Sequence, residues 1–289
     1  MSRFRASAAK EWPLVGFTLL SQIAVGAFWT IAAGLLLPGR GPAIHLTVRA
    51  FPALIAVLIL AAALSLFHLG RPHRAVFALN NWRRSWLSRE IVFELIFLLL
   101  LALLAILRWR KAGSPELIQG ILIVSAVAGF AFLFSMSRLY MLKTVPAWRG
   151  LNTPLSFFLS ALLLGPLFVA VARRIFFQTP GFFGPAAVIA SLSAVLLIVL
   201  IAILFTPGIG FLGVKNATLA EYPVSRVYLF LLFRFAFLAA AVLGIVLAAK
   251  GRFGGPLNGT WLTVAFLNAL GSEISGRFLF YAIYNRVGV

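Results

Sequence analysis

The chain has 289 residues, 62% of them hydrophobic and 11% charged, with a mean hydropathy of +1.05. These values exclude an ordinary soluble domain. Lysine and arginine together number 25 against 6 acids, a net charge of +19, but the bases are dispersed between apolar runs. That dispersal argues against nucleic-acid binding and for contact with lipid headgroups and an acidic protein partner.

A helix needs about 20 mainly apolar residues to cross a bilayer core. Apolar windows bounded by Gly, Pro and charge therefore predict an all-α, polytopic integral membrane protein. It forms a single transmembrane domain over 1–289 with about eight transmembrane helices. The first, 12–37, follows the basic start "MSRFRASAAKEWPLVGF" and is read as an uncleaved first helix. The others are expected at 49–67, 88–107, 116–138, 153–172, 184–205, 226–249 and 257–280. Pro13 and Pro154 fall where a first-turn proline is tolerated. Trp12, Trp29, Trp86, Trp109, Trp148 and Trp261 stand near predicted ends, as an interfacial aromatic belt requires. Gly26, Gly34, Gly129 and Gly165 lie within spans, where close helix packing explains them.

An even number of spans puts both termini on one side, together with the longest connections, 68–87, 139–152 and 206–225. That side, the terminal face, also holds the larger share of the basic residues. Positive-inside alone would make it cytoplasmic, whereas "RWRK" at 108–111 is a compact counterweight on the opposite side.

The connection from the second to the third helix, "HLGRPHRAVFALNNWRRSWLSRE", carries the chemistry-bearing residues. His68 ends the second helix and Glu90 opens the third, so a connection that folds back brings them to one membrane depth. A lone histidine at a helix C-terminus can simply complement the dipole. Here Gly70, Arg71, Pro72, Arg74 and Glu90 surround it with a rigid, basic, proton-accepting mouth beside an apolar interior. Glu94 shares a helix face with Glu90 at i,i+4, and its structural and functional readings stand equal. Charge within hydrocarbon costs several kcal/mol, so Arg234, Glu273 and Arg277 also need partners, and an intrahelical Glu273–Arg277 ion pair is expected.

Metal chemistry finds no ligand set. A membrane haem needs facing imidazoles, but His45, His68 and His73 all fall at loops or helix ends. There is no aspartate and no carboxylate cluster for a di-metal centre. With no cysteine, neither a disulfide nor a thiolate-held iron–sulfur cluster can form in this chain. G-x-S-x-G, P-loop and H-E-x-x-H motifs are absent too, which leaves hydrolase and ATPase readings without a residue to act.

Several stretches together resemble one family. They are "EWPL" with Gln22 in the first helix, "HLGRPHRA" then "LSREI", "SRLYMLKTVPAW" followed by "TPLSFFL" and "GPL", and "GSEISGRFLFY" in the last helix. This pattern is similar to the membrane anchor subunits of dimethyl sulfoxide reductase and related molybdenum-containing respiratory oxidoreductases. The resemblance implies a haem-free anchor in the bacterial cytoplasmic membrane that binds menaquinol or a similar quinol. It would pass electrons to a four-cluster iron–sulfur subunit, which feeds a molybdopterin catalytic subunit. It places His68 on the family's quinol-site histidine, Gly70 and Arg74 on its loop residues and Glu90 on its glutamate. Arg71 stands where a small polar residue is expected, and Trp82, Arg83 and Arg84 make this connection unusually basic.

Quinol oxidation needs a group to accept a hydroxyl proton, and an imidazole with an ordinary pKa of about 6.5 suits that task. Two other readings remain at the level of sequence. A proton-coupled secondary transporter would use the same buried charges as an ion relay, although no half-to-half similarity is visible. A purely structural anchor would carry no quinol.

Overall fold

The computed structural model describes residues 2–36, 44–67, 81–142, 148, 150–177, 195–196, 224–249 and 256–282. Seven long helices occupy the described residues: α1 Ser2–Leu36, α2 Ile44–Phe67, α3 Trp86–Trp109, α4 Pro115–Tyr140, α5 Asn152–Phe177, α6 Val224–Ala249 and α7 Pro256–Ala282. The span expected at 184–205 lies outside them except for Val195 and Leu196. Segments of α1 to α6 are long and apolar enough to cross a bilayer, so the chain is an all-helical, multi-pass membrane protein.

Local chemistry sets the helix ends. Ser85 caps α3 by accepting a bond from the Ser88 amide at 3.3 Å, and Ser114 caps α4 by accepting from Leu117 at 3.2 Å. Pro115 opens α4 at the position where its missing N–H costs nothing. Between α3 and α4 the chain reverses within five residues, through positive φ at Lys111 (52°) and Gly113 (91°). A glycine suits the second of these because a Cβ is strained there. Pro13 lies inside α1, because that helix begins at Ser2, well before the expected residue 12.

Helices α1 to α4 pack in succession, and α1 also contacts α4, closing a four-helix ring. Helix α5 lies on α1, α7 on α5 and α6 on α7, which leaves α1 and α5 at the centre of the described helices. Phe28 of α1 fills the ring, meeting Phe97 edge-on at 5.4 Å and Phe51 at 6.2 Å between centroids. A second core joins Leu163, Leu164 and Leu167 of α5 to Leu238, Ala241 and Ile245 of α6 and Ala265 and Ala269 of α7. Outward, Leu99, Val127, Leu232 and Leu267 are exposed, as side chains facing lipid should be.

The α1–α5 crossing is at backbone contact. A Cβ on Gly26 would collide with the Ala161 carbonyl, and one on Gly165 with the Gly26 backbone. Gly129 faces Val25 and Phe97 with little room to spare. These three glycines therefore serve helix packing, as their places in the spans predict.

The tryptophans divide. Trp12 and Trp109 are exposed near helix ends, consistent with an interfacial belt. Trp29 and Trp148 instead turn inward. The Trp29 indole donates to the Ala126 carbonyl of α4 at 3.1 Å, and that of Trp148 to the Phe280 carbonyl of α7 at 2.9 Å. An indole inside a membrane bundle must place its N–H on a protein acceptor, and here it ties helices together.

Candidate functional site

Polar groups collect at one end of the bundle, where α3 and α5 begin and α2, α4 and α7 end. Leu64, in the last turn of α2, packs over Gly16 of α1. The start of α3 is held from outside. Arg89 donates to the Trp82 carbonyl at 3.1 Å and to the Arg83 carbonyl at 2.6 Å. The guanidinium of Arg89 lies 4.3 Å from the Trp86 ring and that of Arg138 5.0 Å, so one indole carries two cations. Trp82, Arg83 and Arg84 are exposed beside this anchor.

One turn further in, Glu90 is buried, with 2% of its surface exposed. Neither of its carboxylate oxygens has a hydrogen-bond partner among the described residues, nor does Oε1 of Glu94 on the same helix face. The two carboxylates lie within electrostatic reach of one another. A buried acceptor left unpaired is costly in any protein interior and more so where lipid replaces water. This arrangement fits a place where a polar partner binds.

Tyr140, the last residue of α4, is within electrostatic reach of Glu90 and of Arg277 on α7. Its hydroxyl is 2.9 Å from that of Tyr281. Trp148, Phe157, Phe280 and Tyr281 surround the Tyr140 ring at 5.6 to 5.8 Å between centroids. Gln22 of α1 is fully buried, with neither amide atom paired among the described residues. It sits one turn before Gly26, on the α1 face that crosses α5.

A second polar cluster joins α5, α6 and α7. Glu273 accepts a hydrogen bond from Ser160 and lies 3.7 Å from the Arg234 guanidinium. The expected intrahelical Glu273–Arg277 pair is not what forms. Glu273 turns to the neighbouring helices, while the Arg277 guanidinium sits over the Phe157 ring, 3.8 Å from its centroid. The physical reason is at Gly276, where the bare backbone leaves room for Arg234: a Cβ there would stand 2.8 Å from Cζ.

Of the residues expected at the site, Glu90 and Glu94 share one helix face, Glu90 buried and Glu94 half-buried. His68, Gly70, Arg71 and Arg74 lie outside the described residues. Tyr140, Tyr281 and Ser160 were not singled out by sequence reasoning. Tyr140 and Tyr281 do fall within "SRLYMLKTVPAW" and "GSEISGRFLFY", but nothing in either stretch says that they face each other. Among the described residues no group of three or more His, Cys, Asp or Glu could hold a metal ion.

The DMSO reductase anchor subunit (DmsC) family model matches residues 6–283. Over 286 residues the chain is 30% identical to YnfH, an anaerobic dimethyl sulfoxide reductase chain of Escherichia coli (strain K12), covering 96% of each. Over 285 residues it is 30% identical to a second anaerobic dimethyl sulfoxide reductase chain of the same organism, again with 96% of each covered. A shorter likeness, 43% over 65 residues, covers 22% of this chain and 20% of a sulfite dehydrogenase subunit of Allochromatium vinosum. Similarity of this extent, on an all-helical multi-pass architecture, settles the family: the chain belongs to the DMSO reductase anchor subunit (DmsC) family.

Proposed function

We propose that this chain is the quinol-oxidising membrane subunit of a molybdenum oxidoreductase in the bacterial cytoplasmic membrane. It takes electrons from menaquinol and passes them to a four-cluster iron–sulfur subunit, which serves a molybdopterin catalytic subunit. Membership of the anchor family supports the partner classes. The observation that carries the quinol reading is Glu90: a carboxylate buried one turn inside a membrane helix, with both oxygens unpaired among the described residues.

Menaquinol oxidation releases two electrons and two protons. Glu90 is placed to accept a proton from a quinol hydroxyl, with Glu94 one turn deeper on the same face. His68 is the next residue after Phe67, where α2 ends, and acts in this reading as the second acceptor. In this reading Gly70, Arg71 and Arg74 belong to the mouth, and the two arginines hold the charge of the carboxylates in check. The exposed Trp82, Arg83 and Arg84 mark the face on which an acidic, cluster-bearing partner docks.

The test uses membranes containing the whole complex. His68→Ala removes an acid–base group worth about 10²–10⁴ in rate. Quinol-driven turnover should collapse by that order, while turnover from an artificial donor feeding the catalytic subunits directly should survive. Glu90→Gln keeps shape and loses charge, so it should lower turnover more than inhibitor affinity. Normal quinol turnover in both variants would remove the site assignment.

A further inference from the structure

The stretches "SRLYMLKTVPAW" and "GSEISGRFLFY" meet at a point for which the acceptors named above have no use. Tyr140 is the last residue of α4 and Tyr281 the last but one of α7, and their hydroxyls are 2.9 Å apart. Both therefore stand at helix ends, at the end of the bundle where α3 begins and where Glu90 lies one turn in. Tyr140 is buried, whereas Tyr281 is only partly so, which gives the pair an inner and an outer end. On the inner side Tyr140 is within electrostatic reach of Glu90. The buried guanidinium of Arg277, held on the Phe157 ring, stands beside the pair.

A phenol hydroxyl both donates and accepts one hydrogen bond, so two in contact can pass a proton without either gaining charge. The aromatic rings packed round Tyr140 hold its hydroxyl in place. A fixed positive charge beside the pair disfavours a standing extra proton on either oxygen, so a proton that arrives is passed on.

We propose that the Tyr140–Tyr281 phenol pair is the proton exit of the quinol site, carrying to the membrane face the proton that Glu90 takes from quinol. This rests on Glu90 being a proton acceptor. In the step, both quinol O–H bonds break: one proton joins the Glu90 carboxylate and the other goes to the second acceptor named above, while the two electrons pass one at a time to the iron–sulfur acceptor of the partner subunit. Glu90 and Tyr140 are not in hydrogen-bond contact, so the Glu90 acid passes its proton through a water between them to the Tyr140 oxygen as the proton of Tyr140 moves to the Tyr281 oxygen. The proton of Tyr281 leaves at the face. Each phenol ends with one proton, and Glu90 is again a carboxylate.

The experiment compares Tyr140→Phe, Tyr281→Phe and the double variant in the intact complex, with Glu90→Gln alongside. Phenylalanine keeps the ring packing and removes the hydroxyl. Each single variant should lower quinol-driven kcat about tenfold or more, leave KM within about twofold and raise the solvent isotope effect in D2O. Artificial-donor turnover should be unchanged, and the double variant should be no slower than the slower single one. If Glu90→Gln is impaired while both single variants keep wild-type kcat and isotope effect, the exit is wrong and the acceptor stands. Should Glu90→Gln turn over normally, the acceptor and the exit fall together. Loss of artificial-donor turnover in both single variants would make the pair a packing element and overturn the proposal too.

Discussion

Glu273 shows how this bundle makes an interior charge tolerable. It accepts a hydrogen bond from Ser160 on α5 and lies 3.7 Å from Arg234 on α6, so one carboxylate joins three helices. Removing one member of a buried pair leaves the other uncompensated and costs about 3–5 kcal/mol, whereas replacing both by apolar groups of similar volume is often neutral or stabilising. Glu273→Ala should therefore lower the thermal midpoint of the purified protein in detergent markedly, and Arg234→Leu alone should do the same. The double variant Arg234→Leu/Glu273→Leu should recover most of the loss. An additive double variant would show that the two side chains do not act as a pair. Glu90 lacks such partners among the described residues, so Glu90→Gln should change stability by less than Glu273→Ala while changing turnover more. That contrast separates a charge held for structure from one held for chemistry, in one protein and one assay.

Among the helix pairs, the α1–α5 crossing leaves the least freedom. Gly26, Ala161 and Gly165 bring two backbones into direct contact, and the nearest atoms to an added Cβ are main-chain atoms. Neither side can relieve a clash by changing rotamer. Overpacking a core typically costs 1–3 kcal/mol, and here the cost should reach the upper end. Gly165→Leu is accordingly expected to destabilise by about 3 kcal/mol or to abolish accumulation in the membrane, read as the amount of folded protein recovered in mild detergent. Gly120, whose Cβ would meet nothing within 4 Å, should accept Gly120→Ala without loss, and a similar effect at both sites would refute the packing account. The crossing also bears on the proposed site. Gln22 lies one turn before Gly26 on α1, so displacing α1 moves the buried amide on that face.

As a whole molecule the bundle is apolar outside and polar at selected points within, the reverse of a soluble domain. Leucines and valines face lipid, while Gln22, Glu90, Glu273 and Arg277 are buried. At one end, exposed Trp82, Arg83 and Arg84 stand beside the helix that carries Glu90. At the other, exposed Trp109, Arg110 and Lys111 turn the chain from α3 into α4. Electrons must leave close to where protons are accepted, so the iron–sulfur partner should cross-link mainly to lysine-reactive or photo-reactive probes placed at positions 83 and 84, and little to probes at 110 and 111. The reverse pattern would put the partner on the wrong face for the proposed site. Deleting the anchor should shift artificial-donor activity from the membrane fraction to the soluble fraction, as loss of the membrane subunit requires.

Most of the architecture could be read from the sequence. Long apolar runs between charged punctuation give membrane helices, because unpaired backbone in lipid leaves the polypeptide few alternatives. The run read at 88–107 is the helix Trp86–Trp109 and that at 116–138 is Pro115–Tyr140, each ended by a serine cap or a charged turn that local sequence announces. The burdened positions of Glu90, Glu94 and Glu273 were legible for the same reason, since a carboxylate in hydrocarbon stands out in any window. Their partners were not. Spacing at i,i+4 favoured Glu273 with Arg277, but the choice fell to Arg234 and Ser160 on other helices, because Gly276 opens a path for one guanidinium and the Phe157 ring takes the other. The inward turn of Trp29 and Trp148 and the meeting of Tyr140 with Tyr281, 141 residues apart, were equally a matter of which helices pack together. Hydropathy and local spacing are properties of one segment and its solvent, so sequence alone determined that these helices exist and roughly where they end. Which side chains face each other depends on helix rotation and on crossings such as Gly26 against Gly165, and only the tertiary structure decided that.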